Sequence, residues 1–325
     1  QKDMLVLALL LAPTVSFLLL YQHIAMSRQW FILAFLPMWV LRPATTALLA
    51  LVLWRISGMQ LDGWNTVLLV GLSVLLVTLP LVYIYHRRER RASDQGGAPE
   101  SNDQFRSSEL FPTSLPVFVT RIAGLVVEYS NIVLLGFLAG PAATGAYFAA
   151  ERLALLAFMP SAIVGSVNQA GIAAAYATND KSKVAILVAQ MAHGMLWPCV
   201  LIAATLAVFA VPLLSLFGDE FSNSAPILLI LVLSQVVRAA TGAGNVLLVM
   251  SGRQKLLPRI MIPVAVIHVL LLCCLVPFLS ATGAALASLA SGALSSLWIL
   301  KLVKSQLHIN PTVFHLRRSI SEKRL

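Results

Sequence analysis

Nine times along its 325 residues the chain strings together apolar side chains over lengths approaching the roughly 20 residues that a helix needs to cross a bilayer core of about 30 Å. The runs fall at about 4–20, 44–54, 65–85, 115–139, 144–170, 184–216, 225–250, 257–279 and 281–300. In hydrocarbon every backbone N–H and C=O must find its partner inside the protein, and a run that is apolar throughout does so as a helix. Hydrophobic residues make up 59% of the chain and charged ones 11%, with a mean hydropathy of +0.86. The expected fold is therefore an all-α integral membrane protein with about nine transmembrane helices. The second run is the weakest. Its helix is expected over about 41–58, after an interfacial lead-in at 28–40 marked by Trp30, Phe31, Phe35 and Trp39.

The formal net charge of +10 does not form a nucleic-acid footprint, because Lys and Arg fall in short clusters between apolar runs. The clusters alternate instead. Arg28 and Arg42, the run Arg87 to Arg91, Lys181 and Lys183, Arg253 to Arg259, and Lys301 onwards share one side, and the intervening loops hold almost no positive charge. The basic side is expected to be cytoplasmic, which places Gln1 outside. The segment 86–114 is polar and linker-like. It divides a partial first lobe of three helices, 1–85, from a six-helix second lobe, 115–303, which a basic tail, 304–325, follows. If the two halves were once equivalent, three helices are missing ahead of Gln1, and an N-terminally incomplete chain is expected.

Ionisable residues inside membrane helices are costly, so they are expected to face a protein interior or a watery cavity. The hairpin 119–158 carries four: Arg121 and Glu128 before the turn, Glu151 and Arg152 after it. Arg121 and Glu128 are seven residues apart, about 20° around a helix, and Asn131 lies one turn further along the same face. They read as a cavity wall or, alternatively, as structural ion pairs. Glu151 and Arg152 are adjacent, about 100° apart, so one of them is expected to pair sideways. In the seventh run Gln235, Arg238, Gly242 and Asn245 recur at i, i+3, i+7 and i+10, a polar stripe in an apolar helix. Asn168 and Gln169 add polarity that is as suited to interhelical bonding as to a ligand.

Other residues read as architecture. His193 and His268 are isolated on apolar helices, and Cys199, Cys273 and Cys274 match neither a zinc site nor a disulfide framework. All five are expected to pack. The small residues of 283–292 allow close helix approach. Asp219 and Glu220 are adjacent in an outer loop and read as loop and cap residues. No HExxH, GxSxG, Walker loop or CxxC is present, so the chain is not expected to be an enzyme or to need a metal or cofactor.

The segments PVFVTRIAGLVVEYSNIVLLGFLAGPAATGAYFAAERLALLAF, VPLLSLFGDEFSNSAPILLILVLSQVVRAATG, LLVMSGRQK and ATGAALASLAS resemble the polysaccharide transporter family of oligosaccharide flippases, in the superfamily that also holds the MATE multidrug exporters. The resemblance covers about six spans, and FLPMWVLRPATTALL is similar to the end of such a transporter's first lobe. It implies two six-helix lobes around a cavity that opens alternately to either side while a polyprenyl-diphosphate-linked sugar is turned across a bacterial cytoplasmic membrane. On this reading Arg121, Arg152 and Arg238 supply cations for the diphosphate, and Asn131, Gln235 and Asn245 line the path. Glu128 or Glu151 would carry a coupling proton, or the gradient would be sodium. The expected partners are a lipid-linked oligosaccharide and membrane lipid, in surface polysaccharide assembly, with no nucleic acid. The rival readings are a cation-coupled drug exporter of the MATE type, an integral-membrane glycosyltransferase or polymerase of the same pathway, and a non-functional remnant.

Overall fold

The computed structural model describes residues 2–28, 30–57, 63–94, 107–178 and 180–307. All regular structure among them is helical. The chain forms two compact units, Gln1–Gln104 and Phe105–Leu325. Among the described residues seven helical stretches are long and apolar enough to cross a membrane, so the chain is a multi-pass membrane protein.

In the first unit α1 (Lys2–Ser27) packs most extensively against α4 (Gly63–Asp94), around a small core of Leu18, Val74, Val77 and Leu81. Between them α2 (Phe31–Leu36), a π-helical turn (Pro37–Leu41) and α3 (Arg42–Ser57) run without a break. Together they make one membrane-length stretch, Phe31–Arg55. The segment read as an interfacial lead-in is thus the first half of a span. Its aromatic residues imitate an interface, and proline explains the outcome. Pro43 cannot donate to the residue 39 carbonyl and its ring would collide there, and the wider π turn accommodates it, with the Arg42 N–H donating to the Pro37 carbonyl. α3 is tied to α4 by the Thr46 hydroxyl, which donates to Ser73 Oγ at 2.8 Å. The expected linker at 86–114 is entered by α4 from one side and by the next helix from the other, and 95–106 lies outside the described residues.

The second unit contains α5 (Ser107–Leu138), α6 (Gly140–Ala177), α7 (Lys181–Val208), the short α8 (Ala210–Ser215), α9 (Ala225–Met250) and α10 (Leu257–Leu307). The turn between α5 and α6 is very tight. Gly140 sits at φ +85, a conformation that side chains disfavour, and Pro141 starts α6, where its missing N–H is harmless. A straight helix from His268 to Ser291 would separate them by about 35 Å. Yet His268 Nδ1 lies 2.9 Å from Ser291 Oγ, because α10 folds back at Ser280 (φ 51, ψ −130). Its arms, 257–279 and 281–307, are antiparallel and pressed together: a Cβ on Gly283 would sit 2.6 Å from the Leu275 carbonyl oxygen. Counting both arms, the described residues of this unit form six membrane segments, as expected of the second lobe; with α1 added to the first unit, the described helices broadly match the nine expected runs.

Two apolar clusters fill this unit. One, around Leu135, Tyr147, Leu214, Leu228 and Leu272, lies toward the α5–α6 turn. The other, around Ile172, Met191, Leu247 and Ile260, fills the opposite end. Between the bulkier residues are alanines with no exposed surface, among them Ala150, Ala154, Ala157 and Ala284, which bring the helix backbones close. Cys199 is buried as expected, but Cys273 and Cys274 are exposed on α10 and do not pack in the core.

Candidate functional site

α5 and α6 leave their shared turn in opposite directions, so residues equally far from it lie at similar depth. Glu128 precedes Ala139 by eleven residues and Glu151 follows it by twelve, which puts both about 17 Å from the turn, near mid-membrane. Arg238 is at the middle of α9. The charge of Glu128 is close enough to those of Glu151 and Arg238 for electrostatic interaction. Three helices thus bring two carboxylates and a guanidinium to one level of the second unit.

These groups are not locked into strong pairs. Glu128 and Arg238 are exposed, and among the described residues neither has an opposite charge within 4.0 Å. Arg152 approaches Glu151 at 4.0 Å, the sideways pairing expected of adjacent residues, with the carboxylate largely covered and the guanidinium open. Both arginines rest on aromatic rings instead: Arg152 lies 4.4 Å from the centre of Phe148, and Arg238 lies 4.7 Å from that of Phe158. A ring face attracts a cation by about 0.5–2 kcal/mol and leaves its outward N–H groups free for an anion.

Beside the charges lies an uncharged network whose directions follow from counting protons. Asn131, only 3% exposed, donates from Nδ2 to the Val127 carbonyl at 3.2 Å, which leaves Oδ1 to accept from the Ser288 hydroxyl at 3.2 Å. Ser288 has no second proton, so the Tyr147 hydroxyl is the donor in its 3.1 Å contact with Ser288 Oγ. The Ser234 and Ser291 hydroxyls both donate to the Ser288 carbonyl, at 3.5 and 3.3 Å. With that proton committed, Ser291 Oγ accepts from His268 Nδ1. α5, α6, α9 and both arms of α10 meet in these contacts.

The residues singled out in the sequence are therefore distributed unevenly. Glu128, Glu151, Arg152 and Arg238 gather at one level, with Asn131 of the network one turn along α5 from Glu128. Arg121 is exposed two turns from Glu128, and Asn245 is exposed two turns from Arg238. Gln235 is only 7% exposed, and its Oε1 has no hydrogen-bond partner among the described residues. His268 is wholly buried, as a packing residue should be. His193 bonds to its own helix, at the Ala189 carbonyl.

Sequence reasoning passed over Tyr147, Ser288, Ser291, Phe148 and Phe158. The serines carried a usable signal, since 288 and 291 are one helical turn apart in a segment read only for its small size. The aromatic supports had none, because Phe158 meets Arg238 across two helices. A groove of about 550 Å³ in the first unit, between α1 and α4, is lined by apolar residues and threonine or serine and has no ionisable group.

No family model and no curated protein matches the chain. Solved structures do. The chain is similar to a point mutant of a MATE protein, solved as a crystal structure, with a TM-score of 0.67 and 15% identity over 92% of this chain and 68% of the other. It is similar also to an outward-facing multidrug resistance MATE family transporter of the MOP superfamily, with a TM-score of 0.64 and 14% identity over 88% of this chain and 65% of the other. The chain thus has the fold of these transporters and spans about two thirds of their length.

Proposed function

We propose that this protein is a transporter that turns a polyprenyl-diphosphate-linked oligosaccharide across the bacterial cytoplasmic membrane by alternating access, during assembly of a surface polysaccharide. One observation carries the reading. Arginines on aromatic rings, with carboxylates at the same depth, stand exposed on a largely apolar bundle, and lipid is a poor neighbour for them. A diphosphate is a good one, because in a low-dielectric cavity a bidentate guanidinium–phosphate contact is strong and directional. Arg152 and Arg238 are the first phosphate contacts, and Arg121, two turns along α5, takes the headgroup at a second level. Asn131, Gln235 and Asn245 offer amides to sugar hydroxyls. Glu128 and Glu151 exchange a proton or sodium ion with the gradient.

The second reading is a cation-coupled drug exporter. It is favoured by the multidrug resistance MATE family transporter among the similar structures and by Phe148 and Phe158, which suit a flat organic cation as well as they suit arginine. The test reconstitutes the protein in liposomes and follows leaflet exchange of a polyprenyl-diphosphate oligosaccharide with and without a proton or sodium gradient. Gradient-dependent exchange supports the flippase. No exchange, with uptake of small organic cations, moves the function to the exporter.

A further inference from the structure

α4 is longer than a membrane requires. Its 32 residues extend for about 48 Å, against about 30 Å of hydrocarbon. The apolar part ends near Tyr85, and the run His86-Arg87-Arg88-Glu89-Arg90 continues as the same helix, so its charges are displayed on a rigid extension and not on a loose loop. Aromatic rings mark the level at which hydrocarbon ends. Tyr85 meets Tyr21 of α1 edge-on at 5.4 Å and Trp30 at 5.6 Å, and Tyr and Trp rings settle at the headgroup boundary. The Arg88 guanidinium lies 5.6 Å from the Trp30 ring centre, which anchors its stem while its N–H groups stay free.

The carboxylate within the run is already committed. Glu89 accepts from the Tyr85 hydroxyl at 3.4 Å and pairs with Arg28 at 3.5 Å. Arg87, Arg88 and Arg90 are exposed, and among the described residues none of them has a carboxylate partner. Setting the sidedness of a membrane protein needs only that basic residues lie in a loop. Here they are also held in place, without a carboxylate partner among the described residues, and levelled with the interface.

We propose that this end of α4 is a binding surface for anionic phospholipid headgroups, with Arg87, Arg88 and Arg90 as the phosphate contacts and Tyr21, Trp30 and Tyr85 seating it at the interface. The guanidinium fork matches a phosphodiester, and a patch of this charge draws an anionic leaflet toward it. The surface acts whatever cargo the protein moves, since it lies on the first unit and uses none of the charges assigned to transport.

The experiment places the full chain in nanodiscs of phosphatidylcholine with increasing phosphatidylglycerol and counts the lipids retained on release by native mass spectrometry, with inorganic phosphate as a third arm. Phosphatidylglycerol should be retained in preference to phosphatidylcholine, and salt should weaken the preference. Losing one surface arginine should cost about fivefold, so the R87Q/R88Q/R90Q variant should be weaker by roughly a hundredfold, while lysine at the same three positions keeps most of the preference. Glu89→Gln should move the other way, strengthening retention by about fivefold. Equal retention of the two lipids, an undiminished preference in the triple glutamine variant, or inorganic phosphate displacing the lipid at equal concentration would overturn the proposal. Should the triple variant fail to fold, Glu89→Gln decides alone, because an unchanged or weakened preference there has the same consequence.

Discussion

Two polar regions lie side by side in the second unit and treat their hydrogen bonds in opposite ways. The network of Asn131, Tyr147, Ser288, Ser291 and His268 is uncharged, buried apart from the half-buried Ser288, and largely satisfied by its own members. The charged side, with Glu128, Glu151, Arg152 and Arg238, leaves its guanidinium groups on aromatic rings and short of good carboxylate partners. A structural ion pair would have closed up, since a charge left unpartnered in a membrane is expensive. Groups meant to meet a ligand must instead stay available. On the proposed function, the difference gives the network to holding helices together and the charged side to transport, and it can be broken by experiment.

The largest expected effect is on the charged side. Arg238→Ala should lower leaflet exchange by on the order of tenfold to a hundredfold, the loss that follows removal of one partner of a desolvated charge contact. Its detergent-solubilised thermal stability should stay near that of the wild type, as Arg238 is exposed. Arg121→Ala is expected to reduce exchange as well. Normal exchange in both variants would remove the cationic site. Ser288→Ala should act oppositely, because it strands the Tyr147 hydroxyl and Asn131 Oδ1 inside the bundle. A cost of about 1–3 kcal/mol for each is expected in unfolding measurements, with exchange per folded molecule little changed. If Ser288→Ala were stable but inactive, the two regions would have to exchange roles.

Gly283→Ala sharpens the same division with no polar group involved. The new methyl would meet the Leu275 carbonyl oxygen at 2.6 Å, a backbone atom that cannot swing aside. The arms of α10 must part slightly, which loosens the His268–Ser291 contact and costs about 1–3 kcal/mol of stability. Thermal unfolding reads the loss, and the spacing of spin labels on the two arms reads the opening.

Much of this arrangement was legible in the sequence because a bilayer imposes simple rules. Nine apolar runs, the break at Ala139 and Gly140, and the hairpin at Ser280 follow from length, proline, glycine and hydropathy. The stretch 28–40 was misread because Trp30, Phe31, Phe35 and Trp39 imitate an interface, and only the π turn shows how the helix continues through it. Glu128 and Glu151 could be paired in advance, since both are counted from one turn. The approach of Arg238 to Phe158 could not, because contact between distant helices depends on their rotation, which periodicity in either helix leaves open. For the same reason Ser288 and His268 looked like filler, although each meets a partner on another membrane segment.

The smallest effect belongs to a charge outside the membrane, and it calibrates the rest. Asp180 caps α7: its Oδ1 accepts from the Lys183 backbone N–H at 3.0 Å and from the Ser182 hydroxyl at 2.7 Å. Those bonds favour the ionised form, the Lys183 N–H foremost, and hold the carboxyl below the usual aspartate range. A group lowered on folding contributes stability that is complete above its unfolded pKa, about 3.9, and that fades as pH falls through the lower folded value. Asparagine is as good a cap as aspartate and does not titrate, so Asp180→Asn should match the wild type at neutral pH in thermal unfolding and lack the acid-side decline that Asp180 causes. Asp180→Ala should be slightly weaker at every pH above that window. If Asp180→Asn instead lowered leaflet exchange, charges beyond the membrane would share in transport, and the division between holding and carrying could no longer be drawn inside the bundle alone.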